Sequence, residues 1–198
     1  SDLEYKYGIT LNTLGQRFYD EGENKHSYTY AKTGRAVLAQ PGALAYQFFD
    51  QKTLKLFRQG NYAGATMHEA DTIEELAKLC GLNPVVVAKT VRDYNAACRK
   101  DIRFDPGVLD GRCTEGVTPK KSNWSIEIDS PPYRAYPVTC GVTFTFGGVK
   151  INTNAQVIGV SGKPIRGLYA SGDVVGLFFH NYAGNSGQTR NVVFSRVA

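Results

Sequence analysis

The sequence has few of the residues that build metal centres and disulfide frameworks. Among its 198 residues are four cysteines and three histidines, and no two cysteines stand in a CxxC pair. Zinc sites and disulfide-rich scaffolds need closely spaced ligands or paired cysteines. We therefore expect no metal site, and we expect the cysteines to be reduced thiols in or just below the core.

Long apolar runs are also missing. No stretch reaches the roughly 18 to 20 apolar residues of a membrane-spanning helix. The first residues, SDLEYKYG, lack the apolar segment of a signal peptide. A cytoplasmic protein without a transmembrane segment is therefore the default expectation.

Runs of like charge are absent as well. The formal net charge is +5 and the isoelectric point is near 9.0, but the basic residues are scattered among acidic ones. A scattered pattern favours a solvated surface over a nucleic-acid-binding one, so no nucleic-acid partner is expected. A mild positive charge would instead attract small anionic substrates.

Two helices are predicted in the middle of the chain. The first begins at Asp71 or Thr72, either of which can cap the free amides, and Gly81 ends it. The second begins at Asn83 and runs to about Lys100. Its apolar positions recur every three or four residues, as expected for a face in the core: Val87, Val91, Tyr94 and Cys98.

The rest of the first 140 residues predicts strands and loops. Residues 7–12 read as a strand that forms a hairpin with residues 17–19, and residues 43–49 read as a strand buried on both faces. The polar, tyrosine-rich stretch 22–35 has no clean period and is interpreted as a functional loop. Many Pro and Gly residues make 101–136 irregular, with Trp124 as its packing anchor.

The last third of the chain predicts short strands followed by a helix. Residues 149–151 and 156–160 alternate as two strands joined by a turn, and 165–170 form a short buried strand. That strand leads into Ser171-Gly172-Asp173. The final helix, 186–198, has its apolar residues on one side: Val192, Val193, Phe194 and Val197.

Three motifs in this last third could contact a large anionic cofactor. Asp173, after Gly172, could accept hydrogen bonds from sugar hydroxyls, although Gly-Asp is also an ordinary turn. The small residues 183–189 leave helix amides that could stabilise a reduced flavin, or they form a plain cap. Gly147 and Gly148 would let a planar ring approach the backbone, or they form a bulge.

The order of these motifs resembles a known family. TFTFGGV, INTNAQV, KPIRGLYASGDVVG and AGNSGQT, followed by a helix, are similar to the C-terminal part of the succinate dehydrogenase/fumarate reductase flavoproteins. Within that family the likeness is strongest to the tricarballylate dehydrogenase branch. The segments GQRFYDEG and YTYAKTGRAVLAQPG resemble it too, so the likeness covers essentially the whole chain.

The resemblance implies an α+β fold in two parts. Residues 1–139 would be most of the capping domain that closes over the substrate. Residues 140–198 would be the C-terminal segment of a discontinuous, Rossmann-like FAD-binding domain. The cofactor implied is FAD.

The resemblance also implies roles for single residues. Gly172 and Asp173 would contact the ribityl or ribose hydroxyls of FAD, and Thr145 would position a substrate carboxylate. Four residues at the start of the last helix would face the pyrimidine edge of the flavin: Asn185, Ser186, Gly187 and Gln188.

The chain departs from the family at several positions. A histidine pair of fumarate reductases is replaced by Thr143 and Phe144, and an arginine before the last helix is replaced by the stretch 180–182. The family's proton-donating arginine corresponds to Lys25, with His26 next to it. These departures argue against succinate or fumarate as the substrate.

Candidate site residues follow from the family positions. Lys25 and His26 are the catalytic candidates, as proton carriers. The alternative is that both are ordinary solvated residues of a loop. The candidates for binding substrate are Thr145, His180, Tyr182 and Arg134, with Lys121 as a further basic candidate.

The function expected from the resemblance is hydride transfer between a small polycarboxylate, such as tricarballylate, and FAD. The electron-transfer partner is not indicated. One alternative is a flavin-dependent ketosteroid-type dehydrogenase, which a set of aromatic residues would suit: Phe144, Phe146, Phe178 and Phe179. Another is a non-catalytic interaction module that docks through the helix pair 72–100.

The phosphate-binding motif of a dinucleotide fold is missing. No GxGxxG follows a first strand, and the chain ends inside its last helix. We therefore expect a fragment of a longer flavoprotein, inactive alone, that binds FAD weakly or not at all.

Overall fold

In the computed structural model the chain divides into two units, Ser1–Cys140 and Gly141–Ala198, called here the N-terminal and C-terminal units. The residues described are 4–58, 60, 62–142, 146–178 and 184–198. Both helices and strands occur, and the α+β fold class is confirmed. Among these residues, no helix combines the length and apolar character that a membrane span requires.

A four-stranded antiparallel sheet organises the N-terminal unit. Its strands are β1 (Ile9–Asn12), β2 (Leu44–Phe49), β3 (His68–Ala70) and β4 (Tyr133–Thr139), in the order β1-β2-β4-β3. Phe48 of the central strand β2 lies opposite Ile9 and Ala135 and is fully buried. The strands predicted at 7–12 and 43–49 are confirmed, but the expected hairpin with 17–19 is reduced to a single bridge between Leu11 and Arg17.

The segment 22–35, expected as a loop, is largely helical. Helix α1 (His26–Leu38) follows the loop residues and is succeeded by the short α2 (Gln51–Leu54). The buried positions of α1 are Thr29, Thr33 and Val37, four residues apart. Because two of these are polar, a search for hydrophobic periodicity misses this helix.

The predicted helix pair is confirmed as α3 (Ile73–Leu79) and α4 (Pro84–Ala97). Thr72 Oγ1 accepts a hydrogen bond from the Glu75 amide at 3.2 Å, and Asn83 Oδ1 accepts one from the Val85 amide at 3.0 Å. The two helices pack their apolar faces onto the sheet and form the core with it.

The irregular stretch before β4 is held by buried side chains. Trp124 is fully buried, as expected, and its indole Nε1 donates to the Asp105 carbonyl at 3.0 Å. Lys121 is also fully buried, and its Nζ donates to the Gly8 carbonyl beside β1 at 2.6 Å. These bonds satisfy polar groups that burial would otherwise penalise.

The C-terminal unit contains β5 (Gln156–Ile158) and β6 (Pro164–Tyr169), paired antiparallel, and helix α5 (Ser186–Val197). The strand expected at 149–151 is present only as two isolated bridges. The strand expected to be buried at 165–170 is exposed along the whole of β6. The apolar side expected for the last helix is exposed too, at 63% for Val192 and 49% for Val193. Gly187 and Arg190 are the buried positions of α5 instead, because that side of the helix faces the loop after β6.

Candidate functional site

Lys25 and His26 lie at the start of helix α1. Lys25 is the residue before its first turn, is exposed, and makes no side-chain capping bond; His26 is the first helical residue and is half-buried. The His26 ring contacts the rings of Tyr5, at 6.3 Å between centroids, and Tyr30, at 5.1 Å. Its Nε2 atom is buried and has no hydrogen-bond partner among the residues that the structure describes.

Two further cations lie near His26. Lys6 belongs to the 3₁₀ turn Tyr5–Tyr7, and Arg58 follows α2. Burial, and then the positive charges of Arg58 and Lys6, lower the pKa of the His26 imidazole. At neutral pH, His26 is therefore a neutral imidazole that can accept a proton.

The other two basic candidates of the N-terminal unit are engaged elsewhere. Arg134 on β4 lies opposite Glu69 on β3, and its Nε donates to the Glu69 carboxylate at 2.6 Å. Lys121 is buried and donates to backbone, as described above, so a substrate could not reach it without opening the core. Burial lowers the pKa of Lys121 to about 8.

In the C-terminal unit, Asp173 is held by a buried arginine. One Asp173 carboxylate oxygen, Oδ1, pairs with Arg190 and lies 3.4 Å from the Asn191 amide nitrogen. Arg190 Nη1 also donates to the Val175 carbonyl at 3.1 Å, so it joins α5 to the loop after β6. The Asp173 side chain is 54% exposed. Its second oxygen, Oδ2, has no partner among the described residues and could accept a hydrogen bond from a ligand hydroxyl.

The glycines of this unit serve two purposes. A side chain on Gly148 would place its Cβ 2.3 Å from the Val174 carbonyl oxygen, so Gly148 permits contact between two stretches of the protein's own backbone. At Gly147 and Gly172 a Cβ would meet no atom of the described residues within 4 Å, and both residues have positive φ. Among these residues, nothing therefore blocks the backbone at Gly172, which precedes Asp173.

The start of α5 differs from the starts of α2, α3 and α4, each of which is capped by a side chain. Asn185 has a left-handed conformation, with φ of 70°, and makes no side-chain capping bond. Ser186, Gly187 and Gln188 form the first turn, and Gly187 is buried. The positive end of the helix dipole thus lies at the residues expected to face an electron-rich ring.

Three of the predicted substrate contacts, Thr145, His180 and Tyr182, lie outside the described residues. Among the residues that are described, no group of His, Cys, Asp or Glu is placed to hold a metal ion.

Arg190, Lys6 and Arg58 were not among the sequence-based candidates. Arg190 could have been found from its place one turn after Ser186, since an arginine on the inner face of a helix needs a carboxylate partner. No local signal marks Lys6 or Arg58, because only the folded chain brings them to His26.

Comparison with known proteins decides the family. The sequence profile of the FAD binding domain family matches residues 3–189. The chain belongs to the succinate dehydrogenase/fumarate reductase flavoproteins. It is 34% identical to a probable fumarate reductase of Shewanella frigidimarina over 96% of this chain and 30% of that protein.

Solved structures agree with this family. The open conformation of a flavocytochrome c3 fumarate reductase matches with a TM-score of 0.69 and 31% identity, over 98% of this chain and 32% of that one. A 3-ketosteroid Δ1-dehydrogenase of Sterolibacterium denitrificans matches with a TM-score of 0.69 and 24% identity, over 99% of this chain and 39% of that one. The second likeness shows the fold alone. The chain spans less than a third of each fumarate reductase named here.

FAD is the cofactor of this family, and the C-terminal unit of this flavoprotein fits it chemically. Among the described residues, one Asp173 oxygen has no partner and could accept hydrogen bonds from a cofactor's hydroxyls, and no described atom would meet a Cβ at Gly147 or Gly172.

Proposed function

We propose that this chain supplies the substrate-closing cap, residues 1–139, and part of the FAD-binding domain, residues 140–198, of an oxidoreductase. The enzyme would act on a carbon–carbon bond of a small polycarboxylate such as tricarballylate. The observation that carries the proposal is the family match over residues 3–189, with 34% identity to a probable fumarate reductase.

On this proposal the C-terminal unit would hold the cofactor. Asp173 would accept hydrogen bonds from cofactor hydroxyls through Oδ2, with its other oxygen held by Arg190. The first turn of α5 would lie at the flavin's pyrimidine edge, where its dipole favours negative charge. When bound, FAD would exchange a hydride with the substrate at its N5 atom.

The N-terminal unit would move the proton. In the dehydrogenation direction, a hydride and a proton leave neighbouring substrate carbons as the double bond forms. His26 Nε2 would accept that proton, because its lowered pKa keeps the ring neutral at neutral pH. Lys25, beside it and exposed, would favour the binding of a negatively charged substrate.

A polycarboxylate is favoured over a steroid by charge. Lys6, Lys25 and Arg58 collect positive charge around His26, which suits an anion and offers nothing to a neutral steroid. The ketosteroid dehydrogenase shares the fold at 24% identity and carries no argument about substrate.

Turnover by the full-length enzyme tests the proposal. Tricarballylate should be oxidised with a suitable electron acceptor, while fumarate and a panel of ketosteroids should be poor substrates. Turnover of a ketosteroid without turnover of any polycarboxylate would contradict the assigned substrate class.

Substitutions in the same enzyme test the proton carrier. His26→Ala should lower kcat by about 10²-fold to 10⁴-fold, the usual contribution of a positioned acid or base. Lys32→Ala is the matched control, because Lys32 lies on the same helix and pairs with Glu23 at the surface. If His26→Ala and Lys25→Ala both retain full turnover, neither residue carries the proton.

Cofactor retention tests the division of the FAD site. The 198-residue chain alone should lose FAD on gel filtration, because it lacks a GxGxxG turn for the cofactor's phosphates. Flavin absorbance that stays with the chain in a one-to-one ratio would show that its own residues are sufficient.

A further inference from the structure

Four basic side chains of the N-terminal unit come from three separate segments. Lys6 lies in the 3₁₀ turn before β1, Lys25 and His26 begin α1, and Arg58 follows α2. Of these four residues, only Lys25 stands at a position where the family has a functional residue. The presence of Lys6, His26 and Arg58 near it needs a separate explanation.

Short contacts hold these segments together. The Glu4 carboxylate accepts a hydrogen bond from the Arg58 amide at 3.3 Å. The next residue, Tyr5, packs its ring edge against His26, and its hydroxyl lies 2.7 Å from Thr29 Oγ1 on α1. The stretch 4–5 therefore joins the segment after α2 to the start of α1, and Lys6 is the next residue along the chain.

Positive charge accumulates at this point. Burial and the charges of Arg58 and Lys25 lower the pKa of Lys6, even though Glu4 opposes them. The Lys6 ammonium lies over the Tyr7 and Trp124 rings, at 4.7 and 5.3 Å from their centroids, and no carboxylate among the described residues forms a salt bridge with Lys6, Lys25 or Arg58. Like charges gathered without a carboxylate partner destabilise a fold unless something negative offsets them.

His26 adds a second, independent indication. Its Nε2 atom is buried, and no described residue forms a hydrogen bond with it, whereas the large majority of buried polar side-chain atoms in proteins have a partner. A ring nitrogen that can carry a proton, buried next to cations, is suited to an oxyanion ligand.

We propose that Lys6, Lys25, His26 and Arg58 form a binding site for a carboxylate group of a small organic anion. The inference rests on the proposed function in that the carboxylate would belong to the same polycarboxylate substrate. Arg58 supplies the planar fork that binds carboxylates through two hydrogen bonds, and the lysines supply point charges. The ligand's negative charge would offset those of Arg58 and Lys6 and so raise the pKa of the His26 ring, which makes Nε2 a stronger acceptor for the substrate proton.

The test is a titration of the 198-residue chain with tricarballylate, followed by the ¹⁵N signals of the histidine rings. The His26 signals should move, and the pKa of His26 should rise on binding. The neutral trimethyl ester should leave them unchanged. Inorganic phosphate is the third probe: binding of phosphate in place of tricarballylate would overturn the assignment to a carboxylate.

Substitutions locate the site. Arg58→Gln should weaken tricarballylate binding about 10-fold to 100-fold, the usual effect of losing a charged hydrogen bond. Lys6→Gln and His26→Gln should weaken it as well. Arg92→Gln, on the exposed side of α4, and His68→Gln, on β3, are the matched controls and should bind normally. Unchanged affinity in Arg58→Gln and His26→Gln would overturn the site.

The outcome can be separated from that of the proposed function. If the chain binds tricarballylate through these residues but the full-length enzyme does not oxidise it, the site stands and the substrate assignment fails. If the enzyme oxidises tricarballylate but Arg58→Gln changes neither the dissociation constant nor KM, the function stands and this site fails.

Discussion

In the N-terminal unit Ile9, Leu11 and Leu76 are fully buried, whereas in the C-terminal unit Ile165 and Leu168 of β6 are 44% and 46% exposed. The first unit places two helices on one sheet, so each apolar face has a partner. The second has one two-stranded sheet and one helix, and the described residues leave β6 and most of α5 uncovered. We therefore expect the N-terminal unit to carry most of the chain's own stability.

The largest loss of stability is expected when the buried ion pair of the N-terminal unit is broken. Arg17 Nη2 and Glu21 Oε2 are 2.5 Å apart with side chains 5% and 0% exposed, and Glu21 also accepts from the Thr10 amide at 2.8 Å. Glu21→Gln should lower the free energy of unfolding by about 3–5 kcal/mol, because it leaves Arg17 buried without its charge partner. Urea unfolding followed by Trp124 fluorescence measures it.

Glu23→Gln is the control for that measurement. Glu23 pairs with Lys32 at the surface, with side chains 44% and 57% exposed. An exposed pair contributes about 0–1 kcal/mol. Equal losses for the two variants would mean that Glu21 is not a buried anchor.

A second prediction compares one leucine from each unit. Leu76→Ala should lower stability by about 2–5 kcal/mol, since it opens a cavity in the core. Leu168→Ala on β6 should change stability by less than about 0.5 kcal/mol, as exposed positions do. Hydrogen exchange resolved by peptide reports each unit separately. A large loss of protection in Leu168→Ala would show that β6 is covered.

A third prediction concerns pH and Lys121. Burial lowers its pKa from 10.5 to about 8 in the folded chain. Between these values the unfolded state binds more protons, so stability due to this group rises with pH. From pH 8 to 9.5 the free energy of unfolding of the wild type, relative to Lys121→Met, should rise by about 1–2 kcal/mol.

Lys120→Met is the control, because Lys120 is the exposed neighbour of Lys121. Its stability should follow the wild type at every pH, and other titrating groups cancel in the difference. A constant difference between wild type and Lys121→Met would contradict the lowered pKa.

The smallest effect compares two asparagines that precede helices. Asn83 caps α4 through its side chain, so Asn83→Gly should lower the free energy of unfolding by about 0.3 kcal/mol. Asn185 has positive φ and no capping bond, so Asn185→Gly should stabilise α5 by up to about 1 kcal/mol. Amide exchange in the two helices measures both, and a loss at α5 would mean that the Asn185 side chain makes a stabilising contact.

Elements with local signals could be predicted from the sequence. The start of α3 at Thr72 and that of α4 at Asn83 depend on side chains bonding to amides two or three residues away. Helix α1 could not be predicted, because two of its buried residues are threonines. Thr29, for example, forms a hydrogen bond with Tyr5, which is distant in sequence. Periodicity detects apolar faces and not polar ones.

The candidate site divides in the same way. Lys25, His26 and Asp173 could be named from motifs, and their roles stay predictions. Lys6 and Arg58 could not, since only the folded chain brings them to His26. The apolar side of α5 was predicted wrongly because the pattern shows which residues are apolar and not whether another element covers them.

By itself, then, the sequence determined the family, the capped helices and the strands β1 and β2, all of which depend on neighbouring residues or on motif order. Only the tertiary structure decided which faces are buried, and only it brought Lys6 and Arg58 to His26. Burial and electrostatic interaction depend on distances in space, and the folded chain sets those distances between segments far apart in sequence.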